Sequence, residues 1–384
     1  MIDMPPVIDS DQHLYETRTT WVDHIDPSMR EEALIITDDA LGYPWLMWRD
    51  RKVQPVDVQV PGHTNELGQL RERLRAGRRR ETRYDDELPR NYWDASARAD
   101  AIAEMGLDGA VVFPNFGLLW ERTLDTDLGA LTANMTAWNR WCASVVVDGR
   151  GKVHPVAHVT MRDADWLRAE LEELDRAGIR LAMVAPALVN GRPLSHRDHD
   201  PLWHAFVDHQ VTPVFHVADQ RRVFDDAWYT EGPDAFVPPL ESVFLWTPAA
   251  LACTDLILNG TLERFPDLRI GIVELSAVWV PMFLMMLDGG YDFTTRLNGR
   301  ALAELTMRPS EYFHRQVRVS SFSYELPSRL IGQTGDLYMC CSDYPHSEGT
   351  ATPLADYARS PRPVLPDEAP DFFGGNISML LRKS

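Results

Sequence analysis

The sequence predicts a single (β/α)8 barrel. Eight short apolar or β-branched runs recur along the 384 residues, helix-like segments alternate with them, and side chains able to bind a metal stand where several runs end. Alternation of this kind builds a parallel sheet, and eight units close it into a barrel whose active face lies at the strand C-termini. An open, doubly wound sheet is the rival arrangement of the same elements.

The expected strands are Val7–Asp11, Gly109–Pro114, Val153–Val159, Arg180–Ala185, Val211–Val217, Arg269–Leu275, Val317–Ser321 and Leu337–Ser342. Most are continuous apolar runs, as parallel strands buried on both faces require. The expected helices are Ala95–Met105, Asp127–Val146, Asp163–Ala177, Asp200–His209, Pro248–Phe265, Trp279–Leu287 and Ser323–Gly332. Several open on Asp or Ser, which cap helices, and Gly106, Gly178 and Gly332 stand at expected stops. Two connections are too long for ordinary turns. Residues 17–94 separate the first strand from its helix, and residues 218–246 follow the fifth strand. Both leave from strand C-termini and read as a substrate-covering lid on one domain spanning 1–384. Their tryptophans and tyrosines could wall an apolar pocket or simply pack the lid onto the barrel.

Composition narrows the function. Hydrophobic residues make up 45% of the chain, enough for a core without disulfides. The net charge of −19 argues against a nucleic-acid partner, since phosphate backbones reward a basic surface. The four cysteines, Cys142, Cys253, Cys340 and Cys341, form no CxxC pair and read as reduced thiols, so a cytoplasmic location is expected. The first residues carry no basic region followed by an apolar stretch, and the longest apolar run, Ala277–Leu287, has 11 residues and contains Pro281. Neither a secretory signal nor a membrane partner is expected. A monomer and a homo-oligomer are both left open.

The chemistry is positional. Asp11 and His13 lie two apart at the end of the first strand, so they face one side of an extended chain. His216 ends the fifth strand, Glu274 lies in the sixth, and Asp343 follows the eighth. Taken singly, His216 reads as a core histidine and Asp11 or Asp343 as a turn residue. Glu274 is harder to dismiss, because an ionised carboxylate inside Ile270–Leu275 needs a partner to be buried. Jointly, convergence of these ends on one barrel mouth predicts a metal site of Asp11, His13, His216, Glu274 and Asp343. Glu16 and His346 lie close enough in sequence to be further ligands, orienting groups or acid/base residues.

The order Asp11-x-His13, Pro213-Val-x-His216, Arg264-Phe-Pro-Asp-Leu-Arg269 and Ser342-Asp-Tyr-Pro-His346 resembles the amidohydrolase-2 group. That group includes the aminocarboxymuconate semialdehyde and aromatic-acid decarboxylases, and the resemblance runs from Val7 to about Gly349. It implies a distorted barrel with a divalent metal, doing hydrolysis, decarboxylation or hydration. Two departures stand out. Asp11 replaces the first histidine of the group's His-x-His, and Glu274 stands where the sixth strand usually brings His. No lysine lies near the fourth strand, so a carbamylated-lysine bridge is absent.

Carboxylates in place of imidazoles shift metal preference from zinc toward iron or manganese, and carboxylates can bridge two ions. The altered set also resembles the barrel-type non-haem di-iron monooxygenases of platensimycin and platencin biosynthesis. That resemblance implies two Fe ions, O2, an electron donor and a bulky apolar, diterpenoid-like substrate carried as a coenzyme A thioester. The alternative is a mononuclear Zn or Mn hydrolase or decarboxylase, with Asp343 as ligand and base and His346 or Glu274 as acid/base. Seven arginines between Arg71 and Arg83 bear on the substrate. Arg78, Arg79 and Arg80 could clamp the carrier's phosphates, or the run could be a solvated face balanced by Glu72 and Glu81.

Overall fold

The computed structural model describes residues 5–53, 64–118, 120–217, 222–229 and 239–382. Parts of both expected lid segments, 54–63, 218–221 and 230–238, lie outside the described residues.

Eight parallel strands form the barrel: β1 (Ile8–Leu14), β2 (Gly109–Pro114), β3 (Val153–His158), β4 (Leu181–Met183), β5 (Thr212–Phe215), β6 (Ile270–Ile272), β7 (Val317–Ser321) and β8 (Tyr338–Cys340). Each pairs with its neighbour in sequence order. The last seam is closed partly beyond β8. Ser10 Oγ donates to the Cys340 carbonyl (2.7 Å), the Asp343 amide donates to the Asp11 carbonyl (2.9 Å), and the His13 amide donates to the Tyr344 carbonyl (2.8 Å). The loop that carries Asp343 is thereby sewn to the strand that carries Asp11 and His13.

Inward residues fill the barrel rather than leave a pore. Ile8, Val111, Phe113, Val156, Leu181 and Met183 belong to one buried cluster with Ile377, Leu380 and Leu381. The last three come from the terminal helix Asn376–Leu381, which plugs the barrel's N-terminal end. It is pinned there because Thr212 Oγ1 donates to the Leu380 carbonyl at the start of β5 (2.8 Å). Each fully buried aliphatic side chain here contributes about 1.5–3 kcal/mol. With the floor closed by this helix, the C-terminal mouth is left as the face for chemistry.

Several expected boundaries move. β1 runs on to Leu14, and its register against β2 slips by one residue between Asp9 and Gln12, a bulge. The expected helix Pro248–Phe265 is broken by Gly260 (φ +75°) into Thr247–Leu258 and Thr261–Arg264. The helix starting at Val280 continues to Asn298, past Gly289 and Gly290. Gly332 is not a stop: Pro327, restricted to the first turn, opens the helix Pro327–Thr334, and Gly335 (φ +79°) ends it. The eighth outer helix, Pro353–Arg359, and a small antiparallel sheet of Leu34–Asp38, Pro44–Trp48 and Arg51–Lys52 inside the insertion were not foreseen. Trp21 and Trp48 of the insertion are buried in the main core, so they pack the insertion onto the barrel. Among the described residues one helical stretch, Pro239–Leu258, is long and apolar enough to cross a bilayer, a stretch the sequence reading passed over. Its second half packs into the core through Ala249, Cys253, Leu256 and Ile257.

Candidate metal centre

The mouth gathers all five expected ligands and His346. His13 Nε2 lies 3.5 Å from Asp11 Oδ1, 3.5 Å from Glu274 Oε2 and 3.1 Å from Asp343 Oδ1. His216 Nε2 lies 3.5 Å from Asp11 Oδ1 and 3.1 Å from Glu274 Oε2. His346 stacks on His13 (ring centroids 3.7 Å) and brings Nδ1 to 2.8 Å from Asp343 Oδ1. The six residues fall into two overlapping sets, Asp11, His13, His216, Glu274 and His13, Glu274, Asp343, His346, within each of which the ligand atoms lie inside 4.8 Å of one another.

The imidazoles are oriented from behind. His13 Nδ1 is 2.8 Å from the Pro114 carbonyl and His216 Nδ1 is 2.8 Å from the Val217 carbonyl. Donation to these carbonyls leaves each Nε2 lone pair facing the centre, the arrangement a metal ligand needs. Phe113 packs against His216 (4.1 Å between centroids) and walls the floor.

Eight buried atoms here have no hydrogen-bond partner outside the cluster and face only one another: both oxygens of Asp11 and of Asp343, Nε2 of His13 and of His216, Glu274 Oε2 and His346 Nδ1. Leaving one such group unsatisfied costs about 1–3 kcal/mol, and more when charged. Their convergence is the signature of a site built around a cation. The mix of imidazole and carboxylate suits manganese, iron or zinc, with carboxylates tilting toward the harder ions. The proton affinities show the same tension. Burial pushes the Asp11 carboxyl up to about 7 against the pull of His216. Burial would lower His216, but Asp11 and Glu274 raise it to about 9. Burial opposes ionisation of Glu274 too, yet His13 and His216 hold it well below the usual carboxylate range.

The backbone is strained where these side chains sit. Glu274 (φ +55°), Ser276 (φ +59°) and Asp343 (φ +56°) are all left-handed, a conformation that needs support in non-glycine residues. Glu325 supplies it on one side, accepting from Ser276 Oγ (2.5 Å) and the amides of Ala277 (3.0 Å) and Phe322 (2.9 Å). Ser320 Oγ accepts the Glu274 amide (3.0 Å). Asp9 does the same for β1, accepting the amides of Asp11 (3.1 Å) and Ser342 (3.0 Å).

Gly349 packs on the Asp343 turn so closely that a Cβ would lie 2.3 Å from the Asp343 carbonyl oxygen. Gly349→Ala is therefore expected to displace Asp343 and lower turnover about 10²-fold, the usual penalty for an ångström-scale misplacement. Steady-state kinetics beside bound-metal content checks this, and parent-like kinetics would show the turn can yield.

Glu16 is not part of the cluster. Its carboxylate accepts the amides of Asn115 (3.1 Å), Phe116 (2.9 Å) and Gly117 (2.8 Å), fixing the loop after β2. Asn115 was missed by sequence reasoning; its Oδ1 lies 3.2 Å from His346 Nε2. Its place directly after an apolar strand was the available signal. His158, ending β3 beside Glu121 (3.3 Å), was missed for the same reason.

Arg78, Arg79 and Arg80 do not share one face. Arg78 and Arg79 are exposed, whereas Arg80 is buried and paired with Glu87, with Nε and Nη1 unpartnered. The insertion is nonetheless tied to the mouth: Tyr84 Oη donates to the Glu16 carbonyl (2.9 Å), and Asn91 Nδ2 donates to Tyr344 Oη (2.9 Å).

Solved structures share this architecture. An amidohydrolase from Mycobacterium avium subsp. paratuberculosis is similar over 99% of this chain and 100% of its own, with 22% identity and a TM-score of 0.78. The two share the (β/α)8-barrel fold. The 5-carboxyvanillate decarboxylase of Sphingomonas paucimobilis is similar over 99% of both chains (17% identity, TM-score 0.65). A dihydroxybenzoic acid decarboxylase from a Polaromonas species, solved with manganese and the inhibitor 2-nitroresorcinol, matches 99% of this chain and 97% of its own (14% identity, TM-score 0.60). No protein-family model matches the chain, and no curated protein sequence matches it.

Proposed function

We propose that this chain is a metal-dependent enzyme of the hydrolase or decarboxylase kind, acting on a carbonyl or carboxylate carbon at the barrel mouth. The observation that carries this is the set of eight unpartnered atoms from six residues at the C-terminal strand ends. Asp11, His13, His216, Glu274 and Asp343 would hold the cation, and manganese in a decarboxylase of the same fold supports the choice of ion. The cation supplies Lewis acidity toward a substrate oxygen or a water. Asp343 takes or returns the proton at Oδ1, beside His346 Nδ1 at 2.8 Å. Asn115 holds the far edge of that imidazole, and the Pro114 carbonyl holds His13. The described part of segment 17–94 would cover the substrate, and the hydrogen bond of Tyr84 to the Glu16 carbonyl just past β1 supports that role. Exposed Arg78 and Arg79 would meet the phosphates of a coenzyme A-linked substrate.

One observation favours a second reading. The two overlapping sets together bring six donor residues to the mouth, enough to hold two cations, with the single free nitrogen of His13 serving one of them. That reading is a di-iron monooxygenase, using O2 and an electron donor on a bulky apolar substrate.

Metal stoichiometry separates the two. Protein reconstituted with Mn(II), Zn(II) or Fe(II) is expected to hold one ion per chain and to turn over without O2. Two irons per chain with O2 consumption would sink the first reading in favour of the second. In that case Glu274→Ala should leave one ion and no oxygenation.

A further inference from the structure

The helix Ala95–Glu104, which follows the insertion, buries Arg98 completely. A buried guanidinium is costly unless its charge is met. The hydrogen bonds of Arg98 nevertheless end on neutral oxygens. Nε donates to the Asn91 carbonyl (2.7 Å), Nη1 donates to Gln12 Oε1 (3.1 Å), and Nη2 has no partner. The charge is met one residue farther on, where Gln12 Nε2 donates to Oδ2 of the buried Asp9 (2.9 Å). Gln12 therefore relays between a buried cation and a buried anion.

Both ends of this relay reach the mouth. Asp9 Oδ1 accepts the amides of Asp11 (3.1 Å) and of Ser342 (3.0 Å), the residue just before Asp343. The Arg98 guanidinium lies 4.9 Å from the ring centroid of Tyr344, the residue just after Asp343, and Asn91 Nδ2 donates to the hydroxyl of that same ring (2.9 Å). The Asp343 loop is thus gripped on both sides of the carboxylate, from one guanidinium. We infer that Arg98 is a positioning residue of the mouth, which sets the spacing of Asp11 from Asp343 and ties the insertion to both through Asn91. This rests on the metal reading proposed above. An arginine serving the fold alone would alter stability when replaced. One that sets the spacing of groups around a cation must alter metal affinity as well.

Mn(II) affinity tests this without any substrate, because the sharp electron paramagnetic resonance signal of the free ion broadens on binding. Arg98→Ala is expected to raise the Mn(II) dissociation constant about 10-fold or more, as loss of a group supporting metal ligands does. Millimolar guanidinium, far below denaturing concentration, should restore most of that affinity, and equal NaCl should not. Gln12→Met is close to glutamine in shape and cuts the relay while leaving both charges, so it should raise the constant too. A folded Arg98→Ala with parent affinity overturns the inference. A loss that guanidinium leaves untouched overturns it as well, and makes Arg98 part of the fold alone. Should Arg98→Ala not fold, parent affinity in Gln12→Met overturns it. A parent that takes up no Mn(II) fails the metal reading first and this inference with it, whereas parent uptake with unchanged variants fails this inference alone.

Discussion

Replacing His216 with alanine is expected to lower turnover at least about 10³-fold and to strip most of the bound metal, while the barrel still folds. His216 Nδ1 is committed to the Val217 carbonyl (2.8 Å), so Nε2 is free to act only toward the centre. There it stands between Asp11 (3.5 Å) and Glu274 (3.1 Å), the two carboxylates it keeps from facing each other uncompensated. Removing the imidazole costs the cavity penalty of a buried side chain, about 2–4 kcal/mol, which a barrel of this size can absorb. Far-UV circular dichroism beside metal analysis by mass spectrometry checks both halves of the prediction. A folded variant with full metal content would remove His216 from the site.

Asp343→Asn is expected to leave fold and KM nearly intact and to cut kcat about 10³-fold, within the range general acid–base catalysis supplies. Asparagine matches aspartate in shape and tolerates the left-handed backbone at this position (φ +56°) at least as well. The amide bond to the Asp11 carbonyl (2.9 Å) does not involve the side chain and survives. What is lost is the charge beside His13 (3.1 Å) and the proton acceptor beside His346 Nδ1 (2.8 Å). Turnover within tenfold of the parent would show that Asp343 neither moves a proton nor stabilises the reacting charge.

The strands were legible because each is a short apolar run buried on both faces, a local property. The residues that meet at the mouth were legible for the same reason, since Asp11, His13, His216, Glu274 and Asp343 interrupt or end such runs. Helix ends were less so. Gly260 and Gly335 act through a positive φ that Gly332, the same residue type, does not adopt. The arginine run misled more. Seven arginines within 13 residues read as one surface, yet Arg80 turns inward against the Leu41–Gly42 turn and pairs with Glu87. Ala277–Leu287 reads only as an apolar run too short for a membrane, and the structure leaves Met282, Met285 and Met286 within it exposed.

Periodicity and residue type by themselves therefore determined the barrel, its mouth and the kinds of atom gathered there, because these depend on neighbours a few positions apart. Tertiary structure alone decided which of those atoms meet. Glu16 is withdrawn to bind amides about 100 residues away, Asn115 is brought to His346 across 231 positions, and β1 is joined to the Asp343 loop by a seam outside the regular strands. The physical reason is closure. The distance between two side chains at the mouth is set by how eight strands bend back on the first, and no local pattern encodes the length or angle of that return.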